Sequence, residues 1–338
     1  MTARIAINGF GRIGRLLARL ILEHGPEELE LVLVNDVMDA RSCAALYKRD
    51  SLHGPARGEV ESGEGWMSVD GRRIVIAKAA DPAGMDHRAG KIDLVVEATG
   101  LFTDRDSALG HIASGARRVL VSAPAKGADI TVVQGVNHEL LRADHLVVSN
   151  ASCTTNALAP VAAVLDRAIG IERGHMTTVH SYTNDQRLLD QYHPDLRRAR
   201  AGAVSMIPTS TGATKAVVEV LPHLAGKLSG SSIRVPTPNV SLIDFVFDAA
   251  RSTDVNEVNA LLAASAEREL RGILAVTDEP LVSADLNHDP ASVTVDLLET
   301  QVTDDRMVRV LGWYDNEWGF ANRLFETALQ MARQMQAG

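Results

Sequence analysis

The first half of the chain alternates between two hydrophobic periods. Arg4-Ile5-Ala6-Ile7 is a short apolar run that ends in glycines. Ile13, Leu16, Leu17, Leu20 and Ile21 then recur at i, i+3, i+4, i+7 and i+8, the stripe carried by one face of a helix. Leu29 to Val34 predicts a second strand, and further strands are expected at Arg73 to Ala77, Asp93 to Ala98, Arg118 to Ser122 and Leu146 to Ser149. Asp104 to Gly115 reads as a helix closed by glycine, and the mostly polar Ser62 to Asp70 as a hairpin insertion. Strand, helix and strand in repetition imply parallel strands with helical crossovers.

Past about residue 150 the texture changes. Ala157 to Ile169 predicts a helix that Pro160 is expected to kink. Strands are expected at His175 to His180, Ser232 to Val235, Val240 to Phe247 and Met307 to Trp313. Thr183 to Ala203 is a long polar segment rich in Asp and Arg; a loop that long inside a domain is usually functional or an interface. Leu324, Phe325, Ala328, Leu329, Ala332 and Met335 share one face of a closing helix over Phe320 to Met335.

Length and composition narrow the class. The 338 residues suit two α/β domains at roughly 150 residues each. A hydrophobic fraction of 46% with 23% charged residues excludes wholesale disorder. The net charge of −9 argues against a sequence-independent nucleic-acid binder or an anionic-membrane protein, which need a basic face. Cys43 and Cys153 are too few for a disulfide scaffold or a multi-thiolate metal site, so no metal and a reduced, cytoplasmic setting are expected. The first residues lack the basic-then-apolar pattern of a signal peptide, and no apolar run approaches the ~18 residues of a membrane helix.

Gly9-Phe10-Gly11-Arg12-Ile13-Gly14 is G-x-G-x-x-G between a predicted strand and a predicted helix. The first glycine permits the tight turn, the second admits a pyrophosphate to the backbone, and the third lets helix and strand pack closely. The helix start supplies N–H groups and a partial positive charge. Asp36, 22 residues after Gly14, ends the second strand, where a carboxylate accepts ribose hydroxyls. With Val37 beside it and no adjacent Arg or Lys, Asp36 repels a 2′-phosphate, so NAD is expected over NADP.

Cys153 lies in Ser149-Asn150-Ala151-Ser152-Cys153-Thr154-Thr155-Asn156, ahead of the Ala157 helix. A helix N-terminus favours the thiolate, so a depressed pKa is expected there, whereas Cys43 reads as a small buried cysteine. His180 ends a strand and begins the polar segment, a place from which an imidazole can activate a thiol, but among 11 histidines sequence alone does not single it out. His175 and His180 face opposite sides of a strand, which disfavours a shared metal site. Thr183, Arg197, Arg198, Arg200, the Thr209-Ser210-Thr211-Gly212 run and Arg234 are anion-binding types. The arginines fit phosphate ligation and salt bridging equally well.

Taken together, Asn8 to Arg15, Ser149 to Asn156, His180 to Asp185, Pro208 to Gly212, Arg234 to Val240 and Trp313 to Glu317 resemble phosphorylating glyceraldehyde-3-phosphate dehydrogenase of the bacterial type I group. The resemblance runs from residue 4 to about 335. It implies a Rossmann NAD-binding domain over 1–151, an α+β catalytic domain with a mixed sheet over 152–317, and a last helix over 318–338 that packs back on the first domain. It implies a homotetramer, with glyceraldehyde 3-phosphate and inorganic phosphate as partners. Carried over by position, Cys153 is the nucleophile and His180 its base. Gly9, Gly11, Arg12, Ile13, Gly14, Asp36, Ser122 and Asn316 hold NAD, with Asn316 on the nicotinamide carboxamide. Thr183 and Arg234 hold the C3 phosphate, and Ser152, Thr154, Arg198, Thr211 and Gly212 shape the phosphate-binding region. Two positions depart from the family: Ala80 stands where an arginine is common, and Ala157 where a second cysteine is frequent.

Erythrose-4-phosphate dehydrogenase is the nearest rival, since Tyr192 to Arg198, Asn287 to Pro290 and Glu317 to Arg323 resemble stretches of it. The unbroken Thr209 to Ala213 run and Asp36 favour the glyceraldehyde enzyme. A semialdehyde dehydrogenase lacks the Thr183 and Arg234 context. A non-catalytic redox-sensing or binding protein on the same fold is disfavoured by retention of Cys153 and His180.

Overall fold

The computed structural model of the chain describes residues 2–336. These form two units: the chain up to Ala151 together with Ala321 onward, and Ser152–Phe320.

The first unit runs β1 (Ala3–Asn8), α1 (Arg12–His24), β2 (Leu29–Asn35), α2 (Ala40–Lys48), a short ribbon of β3 (Arg49–Asp50) and β4 (Gly54–Pro55), the hairpin β5 (Val60–Gly63) and β6 (Trp66–Val69), and β7 (Arg72–Ala77). It continues with α3 (His87–Gly90), β8 (Leu94–Glu97), α4 (Arg105–Ala113), β9 (Arg118–Val121), β10 (Ile130–Thr131) and β11 (Val147–Ser149). Nine of these strands form one sheet in the order β10-β11-β9-β8-β1-β2-β7-β6-β5. The strands from β10 to β7 are parallel; β6 and β5 turn back antiparallel, so the polar insertion extends the sheet edge. All four residues of β8 and of β9 are buried. A parallel strand covered on both faces needs such a continuous run, which is why these strands read as unbroken apolar segments. The strand order reverses about β1, with β2 on one side and β8 on the other. The carboxyl ends of β1 and β8 are therefore the switch point at which a doubly wound sheet binds its ligand.

The core joins Ile5, Ile7, Leu17 and Ile21 to Leu324, Ala328, Met331 and Ala332 of α8 (Trp318–Gln336). The last helix thus packs into the core of the first unit. Each fully buried large side chain there stabilises the fold by about 1.5–3 kcal/mol. Arg118, 2% exposed, donates to the carbonyls of Arg142 and His145 and to Gln334 Oε1, fastening α8 through a satisfied buried guanidinium.

The second unit holds α5 (Cys153–Ile169), β12 (Ile171–Ser181), β13 (Ile207–Thr209), α6 (Ala213–Val220), β14 (Leu228–Val235), β15 (Ser241–Ala249), α7 (Val255–Glu267), β16 (Leu274–Thr277), β17 (Val293–Thr303) and β18 (Met307–Tyr314). Its seven-stranded sheet has the order β13-β14-β12-β15-β18-β17-β16. β12 and β14 are parallel, as are β16 and β17; the other pairs are antiparallel, giving a mixed sheet. β15 alternates strictly between buried and half-buried residues. That is the mark of a sheet with one covered face, and α5 packs there against β12 and β15. α5 begins four residues earlier than expected, at Cys153, and continues through Pro160. Thr183 to Ala203 has no helix or strand beyond an isolated bridge between Arg187 and Ala201. Among the described residues, no helix is long and apolar enough to cross a membrane.

Candidate active site

In the first unit the three loop glycines have three separate causes. Gly9 has φ +94°, and a Cβ there would lie 2.6 Å from the Thr99 nitrogen beyond β8. A Cβ on Gly14 would stand 2.1 Å from the Gly9 carbonyl oxygen, so this glycine lets α1 close on β1. Among the described residues, its two chain neighbours aside, nothing lies within 4 Å of a Cβ built on Gly11, which heads α1 with no side-chain cap. Intramolecular packing gives no reason for glycine there, whereas close approach of a pyrophosphate to the helix N-terminus does. The loop therefore fits a dinucleotide.

Asp36 Oδ2 accepts from the Phe10 N–H at 2.6 Å, and its Oδ1 from the Met38 N–H at 3.0 Å. The acid thereby ties the end of β2 to the glycine loop. The Arg12 guanidinium is committed to Asp50, at 2.5 and 3.0 Å. Burial pushes the Asp50 carboxyl up, but Arg12 and the N–H groups of Leu52 and His53 hold it down at about 2. Arg12 thus offers an anion its place in the first turn of α1 rather than its side chain. Ile13 packs against the core, and Ser122 follows β9, with its N–H donating to the Glu97 carbonyl at 2.9 Å.

In the second unit the Ser152 Oγ caps α5 by accepting from the Thr155 N–H at 3.0 Å. The preceding Ala151 has φ +56°, a left-handed turn that costs a non-glycine residue about 1–2 kcal/mol and swings Cys153 into the first turn of the helix. Cys153 Sγ lies 3.5 Å from His180 Nε2. His180 Nδ1 lies 2.7 Å from the Ser181 carbonyl and 2.6 Å from Arg234 Nη1. The register of parallel β12 and β14 pairs His180 directly with Arg234.

The effect of the helix start on the Cys153 thiol meets an opposing one in this arrangement. Burial pushes the Cys153 thiol up, against the opposing pull of Arg234 and the Thr154 hydroxyl and N–H. Burial, reinforced by Arg234, pushes His180 down to about 3. Cys43 is fully buried and is pushed up to about 11, first by burial and then by Asp36 and Asp39.

The anion-binding types fall into separate groups. Arg198 bonds Asp185, contacts Asp195 at 3.3 Å and donates to Thr209 Oγ1 at 3.3 Å; Arg200 pairs with Asp190 at 3.0 Å. Thr183 donates from both N–H and hydroxyl to Gln186 Oε1. Arg234 has no carboxylate partner among the described residues, and its Nε is sealed from solvent without a hydrogen bond. Thr211 Oγ1 accepts from the Ala213 N–H at 3.1 Å, and among the described residues beyond its chain neighbours a Cβ on Gly212 would meet nothing within 4 Å, which leaves the start of α6 open.

Three supports escaped the sequence reading. Tyr314 Oη bonds Thr154 Oγ1 and Thr178 Oγ1, each at 2.9 Å, and its ring meets His180 edge-on. Ser181 Oγ and Ser241 Oγ both donate to Asn316 Oδ1, at 2.9 and 2.8 Å, which leaves the amide NH₂ as what Asn316 presents. Asp315 accepts from Asn239 and from the N–H groups of His288, Glu317 and Trp318, fixing the loop that carries Asn316. Val240, between two of these supports, has φ +66°, strain that a β-branched residue bears only when its surroundings enforce it. Tyr314, Asp315 and Ser181 carry a sequence signal through their position inside family motifs, whereas Thr178 and Ser241 lie outside them.

The doubly wound sheet, glycine loop and acid define a dinucleotide-dependent oxidoreductase frame, joined in the chain to a unit with a capped helix-start cysteine and its imidazole. Residues 3–105 match the family model described as the NAD binding domain of glyceraldehyde 3-phosphate dehydrogenase, and residues 152–316 that of its C-terminal domain. The chain belongs to the glyceraldehyde-3-phosphate dehydrogenase family. It is 55% identical over 333 residues to glyceraldehyde-3-phosphate dehydrogenase of Xanthobacter flavus, a match covering 98% of this chain and 99% of that one. Identity is also 55% over 337 residues to the Zymomonas mobilis enzyme of that name, covering 99% and 100%. It is 56% over 333 residues to that of Cereibacter sphaeroides, covering 98% and 99%.

Proposed function

We propose that the protein oxidises D-glyceraldehyde 3-phosphate with NAD and transfers the acyl group to inorganic phosphate, giving 1,3-bisphosphoglycerate. The observation that carries this reading is Cys153 Sγ, 3.5 Å from His180 Nε2 at the head of α5. Cys153 adds to the aldehyde, and His180 removes the hydroxyl proton of the resulting hemithioacetal. NAD, when bound, accepts the hydride. The Cys153 thioester is then cleaved by phosphate. The Cys153 N–H, in the first turn of α5, is suited to steady the developing oxyanion.

Gly9, Gly11, Arg12, Ile13, Gly14, Asp36 and Ser122 hold the cofactor from the first unit, and the Asn316 amide orients its carboxamide. Arg234 and Thr183 take the C3 phosphate. Ser152, Thr154, Arg198, Thr211 and Gly212 shape the site of the attacking phosphate. The open Gly212 supports phosphate as acyl acceptor, and so favours this reaction over erythrose 4-phosphate oxidation, in which water takes that part.

The working form is a homotetramer. Leu188, Leu189, Tyr192, Leu196, Val204 and Met206 are each at least 75% exposed, a concentration of bare apolar side chains that a second copy of the chain would cover. Two free cysteines suit the cytoplasm. Product analysis with each aldehyde, with and without phosphate, tests the reaction. The expected result is phosphate-dependent turnover preferring the three-carbon substrate; phosphate-independent turnover preferring erythrose 4-phosphate would reverse the assignment.

A further inference from the structure

One buried carboxylate gathers the carboxyl ends of β8, β1 and β2. Glu97, the last residue of β8, is 1% exposed and accepts four hydrogen bonds. Its Oε1 takes the Thr99 N–H at 2.8 Å and the Thr99 hydroxyl. Its Oε2 takes the Asn8 amide at 2.6 Å and His111 Nε2 at 3.1 Å. Asn8 ends β1, and its Oδ1 accepts at 2.8 Å from Nδ2 of Asn35, which ends β2. Asn35 in turn brackets the Ala79 backbone beyond β7, bonding its N–H at 2.7 Å and its carbonyl at 3.0 Å. Behind Glu97 the contacts run inward. His87 Nε2 lies 3.0 Å from His111 Nδ1, both rings are fully buried, and His87 Nδ1 has no partner among the described residues.

Burying a charge is costly, and an apolar side chain of similar volume often serves stability as well or better. Stability is therefore a weak reason for Glu97. What a carboxylate does that an amide or an apolar group cannot is take four donors at once while offering none. Two of its partners, Thr99 and Asn8, border the glycine loop. The Gly9 N–H donates to the Asn35 carbonyl at 2.8 Å, and the Thr99 nitrogen stands 2.6 Å from where a Gly9 Cβ would lie. The turn that Glu97 holds is thus the wall against which the glycine loop is built.

We propose that Glu97 is a positioning residue for the dinucleotide: it fixes the spacing of the Thr99 turn and the glycine loop, and the buried His87–His111 pair holds it there through His111 Nε2. This rests on reading the first unit as the NAD site. Buried as it is, Glu97 acts through Thr99 and Asn8 rather than on the cofactor itself.

Glu97→Gln keeps the volume but turns an NH₂ group on one pair of donors, either those of Thr99 or those of Asn8 and His111. Calorimetric titration is expected to show the Kd for NAD raised at least about tenfold in this variant. His87→Leu, which removes the ring behind His111, is expected to raise it about threefold. The KM for NAD should rise in step, while kcat at saturating NAD stays within about twofold of wild type. Hydrogen exchange of the cofactor-free protein should quicken in the peptides carrying Gly9–Gly11 and Ala98–Gly100 and stay unchanged in β9. A purely structural role would instead lower the folded fraction, and with it kcat, while the folded remainder kept the wild-type Kd. An unchanged Kd in either variant overturns the proposal, whatever happens to kcat. Should Glu97→Gln fail to fold, His87→Leu decides on the same readings. Absence of NAD binding by wild type would defeat the reading of the first unit rather than the role of Glu97 within it.

Discussion

His180 Nε2 stands 3.5 Å from Cys153 Sγ, within reach of a proton on either atom. His180→Asn should lower kcat by about 10²–10⁴-fold, the usual contribution of a positioned base, in a steady-state assay. Competitive alkylation with peptide mapping should label Cys153 well before Cys43, which is fully buried and pushed up to about 11. Faster labelling of Cys43 would contradict the assignment of the nucleophile.

Gly11→Ala and Gly14→Ala separate cofactor binding from folding. The added methyl at position 11 meets nothing within 4 Å among the described residues beyond its chain neighbours, so unfolding should change by less than about 1 kcal/mol while the KM for NAD rises. At position 14 the methyl meets the Gly9 carbonyl at 2.1 Å, so stability should fall by about 1–3 kcal/mol or more. Denaturant titrations and cofactor kinetics check the pair.

Asp36 should favour NAD over NADP by at least about tenfold in kcat/KM, some 1.4 kcal/mol. Asp36→Ala should narrow that gap. It should also raise the KM for NAD, because it releases the Phe10 N–H that Asp36 Oδ2 holds at 2.6 Å.

Acid should weaken the fold through His87. Its Nε2 meets His111 Nδ1 at 3.0 Å, and His111 Nε2 meets Glu97 Oε2 at 3.1 Å, all fully or almost fully buried. Burial, then His111, pushes His87 down to about 4 from 6.5, with Asp86 opposing. Above pH 6.5 both folded and unfolded chains carry a neutral ring. Between 6.5 and 4 the unfolded chain takes up a proton that the folded chain refuses, so stability falls by on the order of 3 kcal/mol and levels off below 4. Unfolding measured against pH should show this slope, and His87→Leu should flatten it.

The parallel sheet, the glycine loop, Asp36 and the capped cysteine were legible because each is local: a short apolar run, a turn chemistry, a residue at a helix start. α7 was not, since its buried side is only Val258, Leu262 and Ser265, too narrow a stripe to stand out. α2 hides likewise, since its buried face joins the small Ala40, Cys43 and Ala44 to a single large residue, Tyr47. β17 runs to Thr303 through the polar Glu299-Thr300-Gln301. The closeness of Arg234 to His180 depends on the register of β12 with β14, far apart in sequence. The direction of the Cys153 shift depends on desolvation, which position in a helix does not reveal.

Thioester formation on Cys153 is the central claim. The direct measurement mixes protein, NAD and glyceraldehyde 3-phosphate in phosphate-free buffer, follows NADH in the first turnover, and maps the quenched protein by mass spectrometry. A burst of about one NADH per active site with a phosphoglyceroyl adduct on Cys153, released when phosphate is added, is the predicted result. Steady phosphate-independent turnover with no adduct on Cys153 would contradict the account.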